Sequence, residues 1–273
     1  MPSLIPTERN VTPKTVCITL DFEKDYGDRV GEFNILKEKR QLEELCHLFK
    51  ELDLSVSIFV TTGLLEEFPA SSDLLQDLGT DLHCHSHYHN TKNPDSATEI
   101  EKSAAVFEAH FGYKAMGYRA PQGVLFEGDI DILKKNHFLF SSSVFPTVRP
   151  GKFNNLSMPT QPFSYPNGLI ELPLAVIPRI RYTISLSYLK LLGFTVNRKL
   201  FSLFGLPDVL IFDSHLHDFV LSERSFYRLT HKMKSLYSIN KYRGVSIFKQ
   251  FVAHLRQEGY EFITVTELYH MLL

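Results

Sequence analysis

Short apolar runs rich in β-branched residues alternate with amphipathic helical segments from residue 14 to the end of the chain. Residues 14–20, 55–60, 115–118, 138–143, 169–172, 209–212 and 261–264 read as strands. Leu42, Leu45, Phe49 and Leu52 fall at helical spacing in a charged segment, so 36–52 reads as an amphipathic helix. Further helices are expected near 71–78, near 129–136, through most of 185–204, and over 245–258 and 265–272. Gly79 suits the C-terminal cap of the second of these helices. Ser96-Ala-Thr-Glu99 has capping-box spacing and opens a helix to Gly112, with Ala104, Phe107 and Phe111 on one face. Strands that alternate with helices imply a mainly parallel sheet, closed as a barrel or open and doubly wound. In both cases a site belongs at the C-terminal strand ends. Five prolines mark 146–168 as an ordered excursion that could wall such a site. No repeat, low-complexity block or boundary divides the chain, so 1–273 is expected to be a single catalytic domain.

Composition narrows the class. With 44% hydrophobic and 22% charged residues, a sizeable core is expected. A formal charge of −2 offers no broad field for nucleic acid. Cys17, Cys46 and Cys84 are an odd number without CxxC spacing, which argues against a disulfide framework and for a reducing compartment. The first ten residues lack a basic segment followed by an apolar run, so no secretory signal is read and a cytoplasmic location is expected. No stretch reaches the ~18 uncharged apolar residues of a spanning helix. The nearest, 182–213, is interrupted by Lys190, Arg198, Lys199 and Asp208. Peripheral contact with a membrane stays open, and the oligomeric state is not written in the sequence.

Four constellations could carry chemistry. Asp21 and Glu23 close the first strand, spaced to flank one site, one carboxylate able to bind a metal while the other accepts a proton. Asp81-Leu-His83-Cys-His85-Ser-His87-Tyr-His89 holds four histidines in seven residues, and neutral imidazole is the commonest nitrogen ligand for zinc and similar metals. One helical turn would bring His85 and His89 together, and an extended strand end would do the same for His83 and His85. The binding pair is open at this point. In Gly117-Tyr-Arg119-Ala-Pro121, the proline biases Ala120 away from helix, and the Arg119 guanidinium could orient a buried carboxylate. Finally, Phe212-Asp213-Ser-His215-Leu-His217-Asp218 follows an apolar strand, and a histidine there could act as a general acid.

These pieces, in this order, resemble the polysaccharide deacetylase family (NodB homology, carbohydrate esterase family 4), over roughly residues 14–270. The family's Thr-x-Asp-Asp motif, with an Asp-x-Glu variant, is matched by Thr19-Leu-Asp21-Phe-Glu23. His-Ser/Thr-x-x-His is matched by His85-Ser86-His87-Tyr88-His89, and Arg-x-Pro by Arg119-Ala120-Pro121. A Tyr-Asp-Ser-Ser-x-x-Pro segment corresponds to Phe140-Ser141-Ser142-Ser143-Val144-Phe145-Pro146, and the final histidine-plus-acid to His215-Leu216-His217-Asp218. The resemblance implies a distorted (β/α) barrel of about seven strands. It implies Asp21 as catalytic base, Glu23, His85 and His89 as ligands of a divalent metal, usually zinc, Arg119 orienting Asp21, and His215 as catalytic acid. Tyr26 and Pro121 beside these motifs are expected at the substrate. Ser141 stands where the family has Asp, so that carboxylate is lost or relocated. Glu23 is one methylene longer than Asp, and His217 competes with His215.

The expected reaction is therefore metal-dependent removal of an acetyl group from an N-acetylated sugar, glycan or glycan precursor. Arg179 and Arg181, with Arg149 and Lys152, are expected to meet a phosphate on such a precursor. Three alternatives are carried forward. One is a phosphoesterase of the polymerase-and-histidinol-phosphatase type, whose opening motif Asp81-Leu-His83-Cys-His85 resembles and whose ligands would be His83 and His85. The others are an amidohydrolase acting on another C–N bond and a catalytically dead carbohydrate-binding relative.

Overall fold

The computed structural model describes residues 5–6, 14–69, 71–79, 81–90 and 95–273. In chain order its strands are β1 (Ile5–Pro6), β2 (Thr15–Phe22), β3 (Val56–Val60), β4 (Asp81–Cys84), β5 (Gly117–Tyr118), β6 (Phe140–Ser141), β7 (Val148–Arg149), β8 (Phe153–Asn154), β9 (Phe163–Ser164), β10 (Ile170–Glu171), β11 (Val176–Ile177), β12 (Tyr182–Thr183), β13 (Val209–Phe212) and β14 (Glu261–Phe262). Its α-helices are α1 (Lys39–Glu51), α2 (Gly63–Glu67), α3 (Ser71–Leu78), α4 (Ser96–Phe111), α5 (Asp129–Lys135), α6 (Leu186–Leu192), α7 (Phe194–Phe204), α8 (Leu216–Phe219), α9 (Glu223–Arg228), α10 (His231–Ser238), α11 (Gly244–Gln257) and α12 (Val265–Met271).

From β2 through β3, β4, β5 and β6 to β10, each strand lies parallel beside the previous one. β13 then takes the other edge of β2. Leu174, just beyond β10, bridges Ile211 of β13, so the two ends of the run meet at a single point. The order never reverses in its middle, which excludes the doubly wound alternative. The result is the expected distorted (β/α) barrel, with a seven-strand parallel ring. β9 and β1 extend the sheet antiparallel beyond β10.

Strand alternation divides the core. Val16, Ile18, Leu20 and Phe22 of β2 face outward into the cluster formed with α1 and α11. Cys17, Phe59, Phe140 and Ile211 face inward, and α12 plugs that interior with Val265, Leu268 and Tyr269. Asp81 fastens the plug by accepting from Ser57 Oγ (2.7 Å) and Thr266 Oγ1 (2.6 Å). The barrel interior is thus layered, with Cys17 and Asp81 at the bottom, Thr19, Phe59 and His83 in the middle, and Asp21 and His85 at the top.

Several local expectations change. A 3₁₀ turn at Ile35–Lys37 precedes α1, and the helical path breaks at Glu38, where ψ is 55°. The 185–204 helix divides at Gly193, whose φ is 74°. Gly79 follows α3, but close approach rather than a left-handed cap requires it: a β-carbon there would meet Val56 O at 2.4 Å. The Ser96 capping box does not form. Asp95 is the N-cap, accepting from Thr98 N, and Glu99 turns inward. The three helices α8, α9 and α10 within 213–244 have no counterpart among the expected elements. Cys17, Cys46 and Cys84 are buried free thiols. Among the described residues, no helix is long and apolar enough to cross a membrane.

Candidate active site

The inward face of β2 ends on Asp21, and Glu23 follows on the same side. Both are nearly buried. His85 emerges from the end of β4, and His89 returns to it four residues later without a helical turn. Ser86 and His89 both adopt φ of 59°, and His89 N donates to Ser86 Oγ (3.0 Å). A non-glycine φ in this region is uncommon and signals a turn held by its surroundings. Glu99 of α4 does the holding: its Oε2 accepts from the backbone N–H of His87 (3.0 Å) and Tyr88 (2.8 Å). The ring centroids of His85 and His89 lie 5.0 Å apart.

Glu23, His85 and His89 offer donor atoms within 4.8 Å of one another. Glu23 Oε2 is 3.4 Å from His85 Nε2 and 2.5 Å from His89 Nε2. Tetrahedral zinc with bonds near 2.0–2.1 Å requires ligand atoms roughly 3.3 Å apart, so this group fits such an ion with small adjustments. His85 Nδ1 lies 2.9 Å from Arg119 O, the bond that assigns its proton there and leaves Nε2 as a lone pair. That Nε2 is buried without a hydrogen-bond partner. Burial by itself would raise the Glu23 pKa, but His89, His85 and His215 hold the carboxyl well below the usual carboxylate range.

Arg119 binds Asp21 from below. Its Nη1 donates to Asp21 Oδ1 (2.6 Å) and Thr19 Oγ1 (2.8 Å), and Nε donates to Ser142 O (2.9 Å). The guanidinium carbon lies 3.9 Å from the centroid of the Phe59 ring. Asp21 Oδ2 is left facing the triad, 3.6 Å from His85 Nε2 and 3.9 Å from His215 Nε2. Beside Ser141, where the family has Asp, a carboxylate stands on the neighbouring strand. Glu171 pairs with Ser141 in register and accepts from Ser143 N and Val144 N, both at 2.7 Å. Burial pushes the Glu171 pKa up.

His215 stands opposite His85. Asp218 sits 3.5 Å from its Nδ1 and in turn accepts from Ser187 Oγ (2.8 Å). Lys190 pairs with the same carboxylate at 3.4 Å. Burial lowers the His215 pKa, but Asp213, Asp218, Glu23 and Asp21 outweigh it and push it up to about 10. Burial pulls His217 the other way, down to about 3. The His217 ring is packed against Tyr26 (4.7 Å), His215 (4.9 Å) and Tyr237 (5.5 Å). Asp213, 3.5 Å from Arg119, is pushed up to about 6 by burial and Asp21, against His215 and Arg119.

The structure therefore gathers Asp21, Glu23, His85, His89, Arg119 and His215 around one cavity of about 220 Å³. Four other expected site residues stay off its wall. Tyr26 is buried behind His217, and Pro121 is buried beside the lining residues Ala120 and Gln122. Arg179 is exposed elsewhere, and Arg181 donates to Met158 O (2.9 Å) and Pro146 O (3.4 Å). The basic lining groups are instead Arg29, Arg149, Lys190 and Arg119. Arg149 belongs to the proline-rich excursion, which does wall the cavity, beside Phe145 just before it. The opposite wall is α10 with Met233, Leu236 and Tyr237. Burial raises the Tyr237 pKa, with Asp218 and Glu23 adding to the rise and Arg29 and Arg149 opposing it. Only a tertiary contact could have revealed Arg29, Tyr237, Lys190 and Glu171.

His83 lies one layer deeper, between Phe59 (5.2 Å) and Phe140 (5.0 Å), with Nε2 3.1 Å from Asp81. Strand alternation does place it on the His85 face, but two residues separate the rings by roughly 6.6 Å along the strand. Among the described residues, no ligand cluster contains His83, so the His83/His85 pair of the phosphoesterase alternative is not assembled.

No curated protein matches the sequence. Among solved structures, a Mycobacterium smegmatis protein assigned as a polysaccharide deacetylase superposes with TM-score 0.63 at 13% identity, covering 100% of this chain and 94% of its own. An allantoinase, PuuE, superposes at 0.58 with 13% identity, over 94% and 89% of the two chains. A carbohydrate esterase family 4 pseudoenzyme from Bacillus anthracis gives 0.55 at 13% identity, over 95% and 66%. The polysaccharide deacetylase family model matches residues 8–138, the stretch that holds Asp21, Glu23, His85, His89 and Arg119. The match spans just under half of the chain, and together with the barrel it makes the chain similar to the polysaccharide deacetylase family.

Proposed function

We propose that this protein is a metal-dependent hydrolase that removes the acetyl group from an N-acetylated sugar, glycan or glycan precursor. The single observation that carries the reading is the Asp21 carboxylate, fixed by Arg119 at 2.6 Å, with its free oxygen facing both the Glu23–His85–His89 group and His215. Glu23, His85 and His89 would hold the divalent cation, and one carboxylate with two imidazoles is a donor set that zinc takes. Such an ion supplies a Lewis acid that polarises the amide oxygen and acidifies water. Asp21 Oδ2 takes a proton from the attacking water as its oxygen bonds to the acyl carbon. His215 gives its proton to the nitrogen as the C–N bond breaks, leaving acetate and a free amine. Arg119 keeps Asp21 oriented, while Asp213 and Asp218 hold His215 protonated.

A carbohydrate esterase family 4 pseudoenzyme shares this fold, so the barrel by itself does not guarantee turnover. Here the base, the ligand triad and the acid converge, which supports an active enzyme. The cavity volume favours a substrate of monosaccharide scale over the middle of a polymer. An allantoinase also shares the fold, and the same groups could open another small amide. Three unpaired thiols fit a cytoplasmic setting, where such a substrate would be a precursor.

Metal content and acetate release measured on wild type and Asp21→Asn test the proposal. The variant should keep its metal and lose at least about 10²-fold in kcat. A folded Asp21→Asn protein with wild-type turnover would falsify it.

A further inference from the structure

Arg29 and Arg149 line the same cavity as the triad, and among the described residues neither has a carboxylate partner within salt-bridge distance. One backbone bond steadies each: Arg29 Nη1 donates to Tyr26 O (2.9 Å), and Arg149 Nη1 donates to Gln122 O (3.0 Å). A guanidinium carries five N–H donors in a planar fork that suits carboxylate and phosphate. The other lining cations are already paired, Arg119 with Asp21 and Lys190 with Asp218.

Arg29 lies close to the chemistry. A β-carbon built on Gly27 would sit 3.6 Å from Glu23 Oε1, 3.6 Å from His89 Cε1 and 3.7 Å from Arg29 Nη1. Glu23 and Arg29 therefore approach one point from two sides, and Gly27 leaves that point open. Arg149 reaches in from the excursion. Tyr237 of α10 lines the same cavity as both arginines. An anionic group held here is within a small molecule's reach of an acyl carbon at the triad. Met233, Leu236 and Ile239 give the remaining wall an apolar face, against which a sugar ring can lie.

We propose that Arg29, Arg149 and the Tyr237 hydroxyl form an anion-binding site, so that the substrate is a small N-acyl compound carrying a carboxylate or a phosphate. This rests on the hydrolase reading above and names its substrate class. The site differs from the Arg179 and Arg181 pair, which does not reach the cavity.

Calorimetric titration of metal-loaded protein with N-acetylglucosamine, its 6-phosphate and N-acetylmuramic acid tests the site, with acetate release followed in parallel. At least one anionic ligand should bind about ten-fold or more tightly than the neutral sugar, and the preference should shrink with added salt. The phosphate and carboxylate arms report which anion is accepted. Arg29→Gln/Arg149→Gln should erase the preference, and Arg29→Lys/Arg149→Lys, which keeps the charge and controls for folding, should retain part of it. Equal binding of neutral and anionic ligands, binding of none at millimolar concentration, or a preference that survives in the glutamine variant overturns the site. Anion preference without acetate release removes the deacetylase reading and keeps the site. Acetate release without preference does the reverse.

Discussion

Arg119 is almost fully buried, yet it makes close contacts with Asp21, Thr19, Ser142 and the Phe59 ring. Unpaired, such a charge would be costly to bury, so these partners both justify its position and lock Asp21 in place. Asp213 shares this environment and is the main acid opposing the effect of burial on His215. Asp213→Asn removes that negative charge. His215 must carry its proton to act as the acid, so activity falls as pH rises through its pKa. Lowering that pKa moves the alkaline limb of the kcat profile to lower pH, by about one pH unit or more. A limb that stays in place or moves up in the variant would exclude His215 as the acid. At this scale, the sequence motifs picked out Asp21, Glu23, His85, His89, Arg119 and His215, which the structure brings to one cavity. They did not separate His215 from His217. That distinction depends on Tyr26 and Tyr237 packing around His217 while His215 turns toward Asp21.

The loop after β4 shows how one element positions another. Ser86 and His89 adopt left-handed backbone, and Glu99 of α4 holds the loop through the amides of His87 and Tyr88. Glu99→Ala leaves the buried His87 N–H and the part-buried Tyr88 N–H without an acceptor and frees His89 to move. Stability should fall by about 1–3 kcal/mol. Metal affinity should fall about 10- to 100-fold, as when an outer-shell partner is lost. Urea unfolding and competition with a chromophoric chelator measure the two, and unchanged affinity would refute the positioning role. The strands themselves were legible because alternation is local. The role of Glu99 was not, because capping-box spacing is satisfied by sequence alone while the side chain's partner comes from another loop. Helices α8 and α9 have 4 and 6 residues, too few for a helical period to declare itself, and α10 buries none of its residues and so carries no core-facing stripe.

Across the whole molecule, the open end of the barrel gathers Asp21, Glu23, Asp213 and Asp218 beside four histidines. A divalent ion bound there stabilises only the folded chain, because unfolding scatters Glu23 from His85 and His89. At a hundred-fold excess over Kd, the gain is about 2.7 kcal/mol. Zinc added to chelator-treated protein should therefore raise the Tm by several degrees. Glu23→Gln should abolish most of that rise, whereas a full rise in the variant would place the ion elsewhere. What the sequence by itself determined was the alternation of strands and helices, the mainly parallel sheet it implies, closed or open, and the residue types at strand ends. Each depends on neighbours two to four positions away, and such periods are written along the chain. The tertiary structure decided which histidines meet. It set His83 one layer below His85, returned His89 through a strained turn, brought Glu171 opposite Ser141, and turned Arg29 and Arg149 rather than Arg179 and Arg181 toward the cavity. Those outcomes depend on barrel closure and on loops that meet across intervals from about ten to more than a hundred residues, and no local period encodes such a meeting.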